Sequence, residues 1–335
     1  MQRAGRSRPA LFVEEESMPN VPRSTLLLPL VTAFAFAAVA QTAPGAHPRD
    51  VVLPKNQILV KGAAPASSDS TTPLPEQGTA EGSAYRNGYF GLTYRVPAGW
   101  TKQADGPPPS DGGSYVLSQF AVHDDKHERV RANVLVTAQD LFFDALSLNS
   151  GRELVSALRN SLQSNFVVES EPAEVIINGR PFTRLSYYAP VAGLHWRILS
   201  TDLRCHALRF TFTGTDGKLL DSAERALSNL QLPAPASEGP ACIAGYASGE
   251  NVLEKREPRL ADRRFNTIPV RILIDEQGRV RHIHVLSAFP EQADAILAAV
   301  KSWRFKPYLQ NGKPAEVETG LVFGIPSTVI RRKTS

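Results

Sequence analysis

Cysteine is scarce in this 335-residue chain, which has two, Cys205 and Cys242. Two cysteines allow at most one bridge, and neither sits in a context that would make it a catalytic nucleophile. A Cys205–Cys242 bridge and a lone buried cysteine in a strand are both open. Long apolar runs are equally rare. Only Ser24–Ala40, "STLLLPLVTAFAFAAVA", is long and uncharged enough to suggest a membrane-related segment. No dense Lys/Arg stripe alternates with exposed aromatics, which argues against a nucleic-acid module. No serine lies in a nucleophile elbow, and "GTDGK" (214–218) lacks the glycine spacing and Lys-Ser/Thr ending of a phosphate loop. The sequence therefore offers no active site and no cofactor or metal site, and we expect a binding protein rather than an enzyme.

What is present begins with an export signal. Arg23 precedes the apolar run, Ala38-Val39-Ala40 is a small-x-small end, and a polar, Pro-containing stretch comes next. A basic flank, an apolar core and an A-x-A end read as a secretory signal over residues 1–40, with Met18 as an alternative start. Cleavage would release the mature chain at Gln41 into the periplasm. Retention of residues 24–40 would instead leave an inner-membrane anchor facing the periplasm, and membrane association is expected only in that case. Residues 251–335 carry 15 Lys+Arg against 9 Asp+Glu, a basic excess read as an ordinary solvated surface.

Residues 41–84 are rich in Pro, Ala, Ser, Thr and Gly, which predicts a flexible tether. Residues 85–233 alternate into several strands. Asn178-Gly179 is a strong hairpin signal. One amphipathic helix begins after Ser150 as N-cap, and a second closes the unit with Leu219, Leu220, Ala223, Leu227 and Leu230 on one stripe. The expectation is an α+β sandwich with an antiparallel sheet. Residues 234–250, again rich in Pro, Ala, Gly and Ser, predict a linker that separates this unit from a second one over 251–330. There, Val270, Ile272 and Ile274 alternate on one strand, and Asp275–Gly278 turns with Gly278 at positive φ. A return strand comes next, with a slip of face at Arg281-His282. A helix carries Ile296, Val300 and Trp303, and Pro307 stops it. Asn311-Gly312 then turns the chain into a last alternating strand, giving a ββαβ order.

These residues carry two resemblances. The pattern "YFGLTYRVPAGW … INGRPFTRLSYY … ALRFTFTG … LDSAERALSNLQL" resembles the PsbP-like α/β sandwich domains, which are mainly binding or scaffold modules. The stretch "IPVRILIDEQGRV", the helix end Trp303-x-Phe305-x-Pro307, and "NGKP" before the last strand resemble the C-terminal domain of the TonB energy-transducer family. Where that family opens with Pro-x-Tyr-Pro-x-x-Ala, this chain has "EPRLADRR", which keeps Pro258 and Ala261 but places Arg259-Leu260 at the Tyr-Pro pair. A globular unit also stands where an energy transducer has its long Pro-rich rod.

The resemblance implies an envelope protein that binds a peptide or protein partner by β-augmentation, with a TonB-dependent outer-membrane transporter as the implied partner class. The candidate surface is the edge of the last strand: Val317, Glu318, Thr319, Gly320, Leu321, Val322 and Phe323, with Glu318 expected to be exposed. Gly278, Trp303, Phe305 and Pro307 are expected to be structural. The alternative is a small-ligand carrier or enzyme centred on residues 85–233, with the TonB-like unit as a docking module; a deep pocket with converging polar groups would favour it. His123 and His127 are four apart but lie in a charged loop, and His282 and His284 flank Ile283 on a strand, where they read as a solvated polar face.

Overall fold

The computed structural model of the chain describes residues 66–103, 105–124, 129–234, 239–260 and 267–324. The expected signal, residues 41–65 of the expected tether, and His127 lie outside them. The described residues are of mixed α+β class and belong to one compact unit.

After a short strand β1 (Ala66–Ser67), strands β2 (Gly78–Glu81), β3 (Ala84–Asn87) and β4 (Leu92–Arg95) form a three-stranded antiparallel meander. A seven-stranded antiparallel sheet comes next. Its strands are β5 (Thr101–Lys102), β6 (Ser114–His123), β7 (Val130–Asp140), β8 (Val167–Ile177), β9 (Arg180–Ala189), β10 (Leu194–Leu203) and β11 (His206–Gly214), in spatial order β5-β6-β7-β11-β10-β9-β8. Helix α1 (Gly151–Ser161) precedes β8, and α2 (Gly217–Arg225) succeeds β11. The Ser150 side chain accepts from the Glu153 amide and starts α1. Asn178 and Gly179 both take positive φ and join β8 to β9 in a two-residue hairpin.

Alternation then sorts the side chains of this sheet. Val155 of α1 packs with Leu185, Tyr187 and Ile198 on one face. On the other, Leu220 of α2 and Leu227 in the 3-10 turn after it (Ala226–Asn229) join Phe182, Phe210, Phe212 and the meander's Tyr85 and Tyr94. Both faces of the central strands are therefore buried, which is the sandwich expected from the sequence.

The C-terminal part consists of β12 (Ala241–Cys242), β13 (Val252–Glu254), β14 (Ile268–Ile274), β15 (Val280–Val285), α3 (Pro290–Val300), β16 (Arg304–Phe305), β17 (Tyr308–Gln310), β18 (Lys313–Ala315) and β19 (Val317–Phe323). Its sheet runs β1-β15-β14-β19-β12. Val270, Ile272, Ile274, Ile283 and Val317 face Ile296, Val300 and Trp303, all of them buried. The slip between β14 and β15 is present, since Leu273 pairs with His282 and Ile274 with Val280, leaving Arg281 as the extra residue. Gly278 has φ +77°, and a Cβ there would collide with the Phe305 carbonyl oxygen, so glycine is required for conformation and for space.

Four expectations need correction. The helix ends at Val300, not at Phe305: Arg304-Phe305 forms β16, which pairs antiparallel with β13 through Val252 against Phe305 and Glu254 against Arg304, and the Phe305 amide also donates to the Gly278 carbonyl (2.8 Å). Trp303 is nevertheless wholly buried, and its indole N–H donates to the Arg256 carbonyl at 2.9 Å. Within the expected tether, residues 66–84 are ordered into β1, a turn at Asp69, a buried Leu74 and β2. The expected linker packs as well: Tyr246 and Ala247 are buried in the C-terminal core, and the Tyr246 hydroxyl donates to the Lys306 carbonyl at 2.6 Å. Lastly, the two units are not independent, because Leu286 from the C-terminal part enters the core of the first.

Candidate functional site

Backbone direction decides what the last strand can bind. In an antiparallel ladder the N–H and C=O of one residue point to the same side, and successive residues alternate. The Ala241 amide donates to the Glu316 carbonyl (2.8 Å) and the Ile243 amide to the Glu318 carbonyl (3.2 Å), so Glu316 and Glu318 point away from β14. By the same alternation Gly320 and Val322 also point outward, while Thr319, Leu321 and Phe323 pair with Ile272, Val270 and Ile268 of β14. β12 lies parallel on β19 at Val317 and Glu318 and covers that half of the edge. Past it, the outward groups of Gly320 and Val322 have no backbone partner among the described residues. The candidate edge is thus shorter than the sequence suggested: Thr319–Phe323 is open, and Val317–Glu318 is covered. The opposite sheet edge, on β15, carries β1, with Ala66 against Val285 and Ser67 against His284.

Glu318 also departs from expectation: its side chain is buried. In-register neighbours share a face, so Arg271 lies beside His284 and Gly320, and Leu273 beside His282 and Glu318. This face meets the first unit. Arg271 Nη1 donates to Asp140 Oδ2 at the end of β7 (2.6 Å), and its Nη2 lies 3.1 Å from Glu318 Oε2. The Tyr89 hydroxyl donates to Glu318 Oε1 at 2.9 Å. Arg204 lies 3.8 Å from Glu318 and donates to the Tyr89 carbonyl at 2.7 Å. Phe142 stacks under the Arg271 guanidinium, and Phe142 and Phe143 crowd Gly320, where a Cβ would come within 2.7 Å of the Phe142 Cβ.

Two guanidinium groups thus meet two carboxylates; Arg271, Asp140 and Glu318 are buried, and Arg204 keeps partial contact with solvent. Burial pushes Glu318 up, but Arg271, Arg204 and the Tyr89 hydroxyl outweigh it and leave the carboxyl below its ordinary range. For Asp140, burial wins over Arg271 and raises it. His206 lies 3.7 Å from Asp140 and is held neutral, first by burial and then by Arg271, while its Nδ1 bonds the Arg204 carbonyl at 2.6 Å.

The histidine pair read as a solvated face is instead covered by residues 66–76. His282 Nδ1 bonds Asp69 Oδ2 at 2.8 Å, and His284 Nε2 bonds Glu76 Oε1 at 2.9 Å. Pro73, Leu74 and Pro75 complete the cover. The two cysteines are joined: Cys205 in the turn between β10 and β11 is bridged to Cys242 of β12. Among the described residues no group of three or more metal-ligating side chains gathers. No described helix is long and apolar enough to cross a membrane. A groove of about 530 Å³ runs between β8 and α2, lined by Val175, Ile177, Arg184, Asp221, Glu224 and Leu227. It is open, and three of its charged groups are engaged: Arg184 holds Glu224 at 2.6 Å and Asp221 meets Arg197 at 3.4 Å.

Sequence reasoning missed Asp140, Arg271, Tyr89 and Arg204. One signal was available. Arg271 is a single charge inside the apolar run "IPVRILI", and such a residue is rarely buried unless paired.

Residues 260–325 match the family described as Gram-negative bacterial TonB protein C-terminal. No curated protein matches the chain significantly. Among solved structures it is similar to cyanobacterial PsbP (CyanoP) from Synechocystis sp. PCC 6803, at 16% identity and TM-score 0.31, covering 47% of this chain and 99% of that one. It is also similar to LpqN, described as involved in cell envelope biogenesis of Mycobacterium tuberculosis, at 11% identity and TM-score 0.30, covering 50% and 92%. At these scores neither likeness bears on function.

Proposed function

We propose that this chain is a periplasmic cell-envelope protein of TonB-like type that takes an extended segment of a peptide or protein partner along the open half of β19. The observation that carries the reading is the outward N–H and C=O of Gly320 and Val322, the free part of an edge whose other half is already in β-pairing. The match of residues 260–325 to TonB C-terminal domains supports the partner class, a TonB-dependent outer-membrane transporter, and so a link to outer-membrane transport. Export rests on the signal-like residues 24–40. The role is binding, without catalysis.

Backbone direction makes the test specific. Val322→Pro removes an outward N–H and keeps the β14 ladder, so the chain should stay folded and lose its partner. Leu321→Pro removes an N–H directed at Val270 and should unfold the domain. Envelope proteins retained by the immobilised chain are identified by mass spectrometry for wild type and Val322→Pro, with circular dichroism as the fold check. An outer-membrane transporter held by wild type and lost from folded Val322→Pro is the expected result. An unchanged retained set moves recognition away from this edge.

A further inference from the structure

The covered half of the same edge has its own logic. β12 is two residues long and sits on β19 through the Ala241 and Ile243 amides. A strand of this length has little hold of its own, and to these hydrogen bonds it adds only the partly buried side chains of Ala241 and Ile243 against the C-terminal core. Its neighbours are anchored elsewhere: the Pro233 carbonyl accepts from Arg180 Nη2 at 2.7 Å, and Tyr246 is buried against Lys306. Between these anchors, the covalent hold on β12 is the Cys205–Cys242 bridge. Cys205 is buried and Cys242 is exposed. Only one side of the bridge is therefore presented to an incoming thiol.

We propose that β12 is a releasable cover on the partner edge, latched by the Cys205–Cys242 disulfide and freed by a dithiol reductant. This rests on the edge of β19 being the binding surface. One thiolate of the reductant attacks Cys242 Sγ, the S–S bond breaks, and Cys205 leaves as a thiolate that takes up a proton. The second thiol then attacks the mixed disulfide and releases Cys242 as a thiol. The reductant ends as a disulfide, having supplied two electrons and two protons. With β12 lifted, the outward groups of Glu316 and Glu318 join those of Gly320 and Val322, so the open edge roughly doubles in backbone hydrogen-bonding positions. Two further backbone hydrogen bonds at typical net strength correspond to a gain of about thirtyfold in partner affinity.

The release can be read without a partner. Amide exchange of the full chain is measured oxidised and in dithiothreitol, following Ala241 and Ile243, with Val136 and Phe210 of the first sheet as fold controls. The expected result is exchange at Ala241 and Ile243 at least about tenfold faster on reduction, with the controls unchanged, because each amide loses its acceptor. Unchanged exchange at Ala241 and Ile243 overturns the latch, whatever the partner proves to be. If reduction also exposes the controls, Ala241→Pro decides. It removes the hydrogen bond to Glu316 with the disulfide intact, so Ile243 should exchange faster with the controls still protected, and continued protection of Ile243 overturns the cover. In a second arm, the transporter retained by wild type is titrated against oxidised and reduced chain. Faster exchange without tighter binding shows a mobile β12 that does not cover the site, and rejects the gating role alone.

Discussion

Arg271 shows how much one side chain can decide. It sits in a strand whose seven residues are all buried, and it is tolerated there because Asp140 and Glu318 reach it from two other strands. A buried ion pair adds little net stability against an apolar substitute, but removing one partner strands the other. Asp140→Ala should therefore lower stability by ~3–5 kcal/mol, read from the urea midpoint. Asp140→Leu combined with Arg271→Met should recover much of the loss, since no charge is left unpaired. An Asp140→Ala midpoint equal to wild type would mean that Glu318 alone satisfies Arg271. Glu316 and Glu318 make the converse point. They lie two apart on one chain, yet Glu316 meets the exposed Arg281 while Glu318 is sealed in the cluster. Local sequence cannot separate the two, because what differs is the partner surface above Glu318.

At the scale of elements, the sequence was legible wherever local chemistry dictates the outcome. Asn178-Gly179 and Asn311-Gly312 turn as written, Ser150 caps α1, and the stripe Ile296–Val300–Trp303 is core. The elements that could not be read depend on long-range pairing. Residues 66–76 have the composition of a tether, but their two carboxylates meet specific partners on β15 through Asp69–His282 and Glu76–His284. This strap should be sensitive to acid. His282 faces Asp69 and Ser68 from the strap, His284 on its own strand and Glu318 from β19; burial depresses its pKa below 6.5 despite Asp69. A detached strap would return His282 toward its ordinary value and bind more protons, so docking is complete above about pH 6.5 and weakens as pH falls through the depressed value. Burial raises Asp69, but hydrogen bonds from Thr72, His282 and Thr71 outweigh it and hold the carboxylate well below its usual range. Its contribution is present above about pH 4 and is lost below. The protection factor of the Ser68 amide, which donates to the Ile283 carbonyl at 2.9 Å, should fall between pH 8 and pH 4 while that of Val136 holds. A flat Ser68 profile would separate the histidine from strap docking.

At the scale of the whole molecule, composition suggested beads on a string, and the contacts join the described residues into a single unit. The residues that join the two parts come from both sides of the expected linker: Asp140, Tyr89 and Cys205 before it, Arg271, Glu318 and Leu286 after it, with Cys242 inside it. Every one of these contacts is buried or covalent, so opening the junction would uncover charged groups that nothing else satisfies. Unfolding of one part should then drag the other, and the chain should melt as one cooperative unit. The three tryptophans allow a direct test, since Trp196 lies on β10 against α1 and Trp303 lies in the C-terminal core. With fluorinated tryptophan incorporated throughout, the native resonances of Trp196 and Trp303 should disappear at the same urea concentration. In Asp140→Ala the Trp303 resonance should be lost first, because the C-terminal part gives up its buried anchor while the first sheet keeps its own core. Two separate midpoints in the wild-type chain would instead mean that the Arg271 cluster is a contact between independently stable parts, and the partner edge on β19 could then move relative to the sandwich behind it.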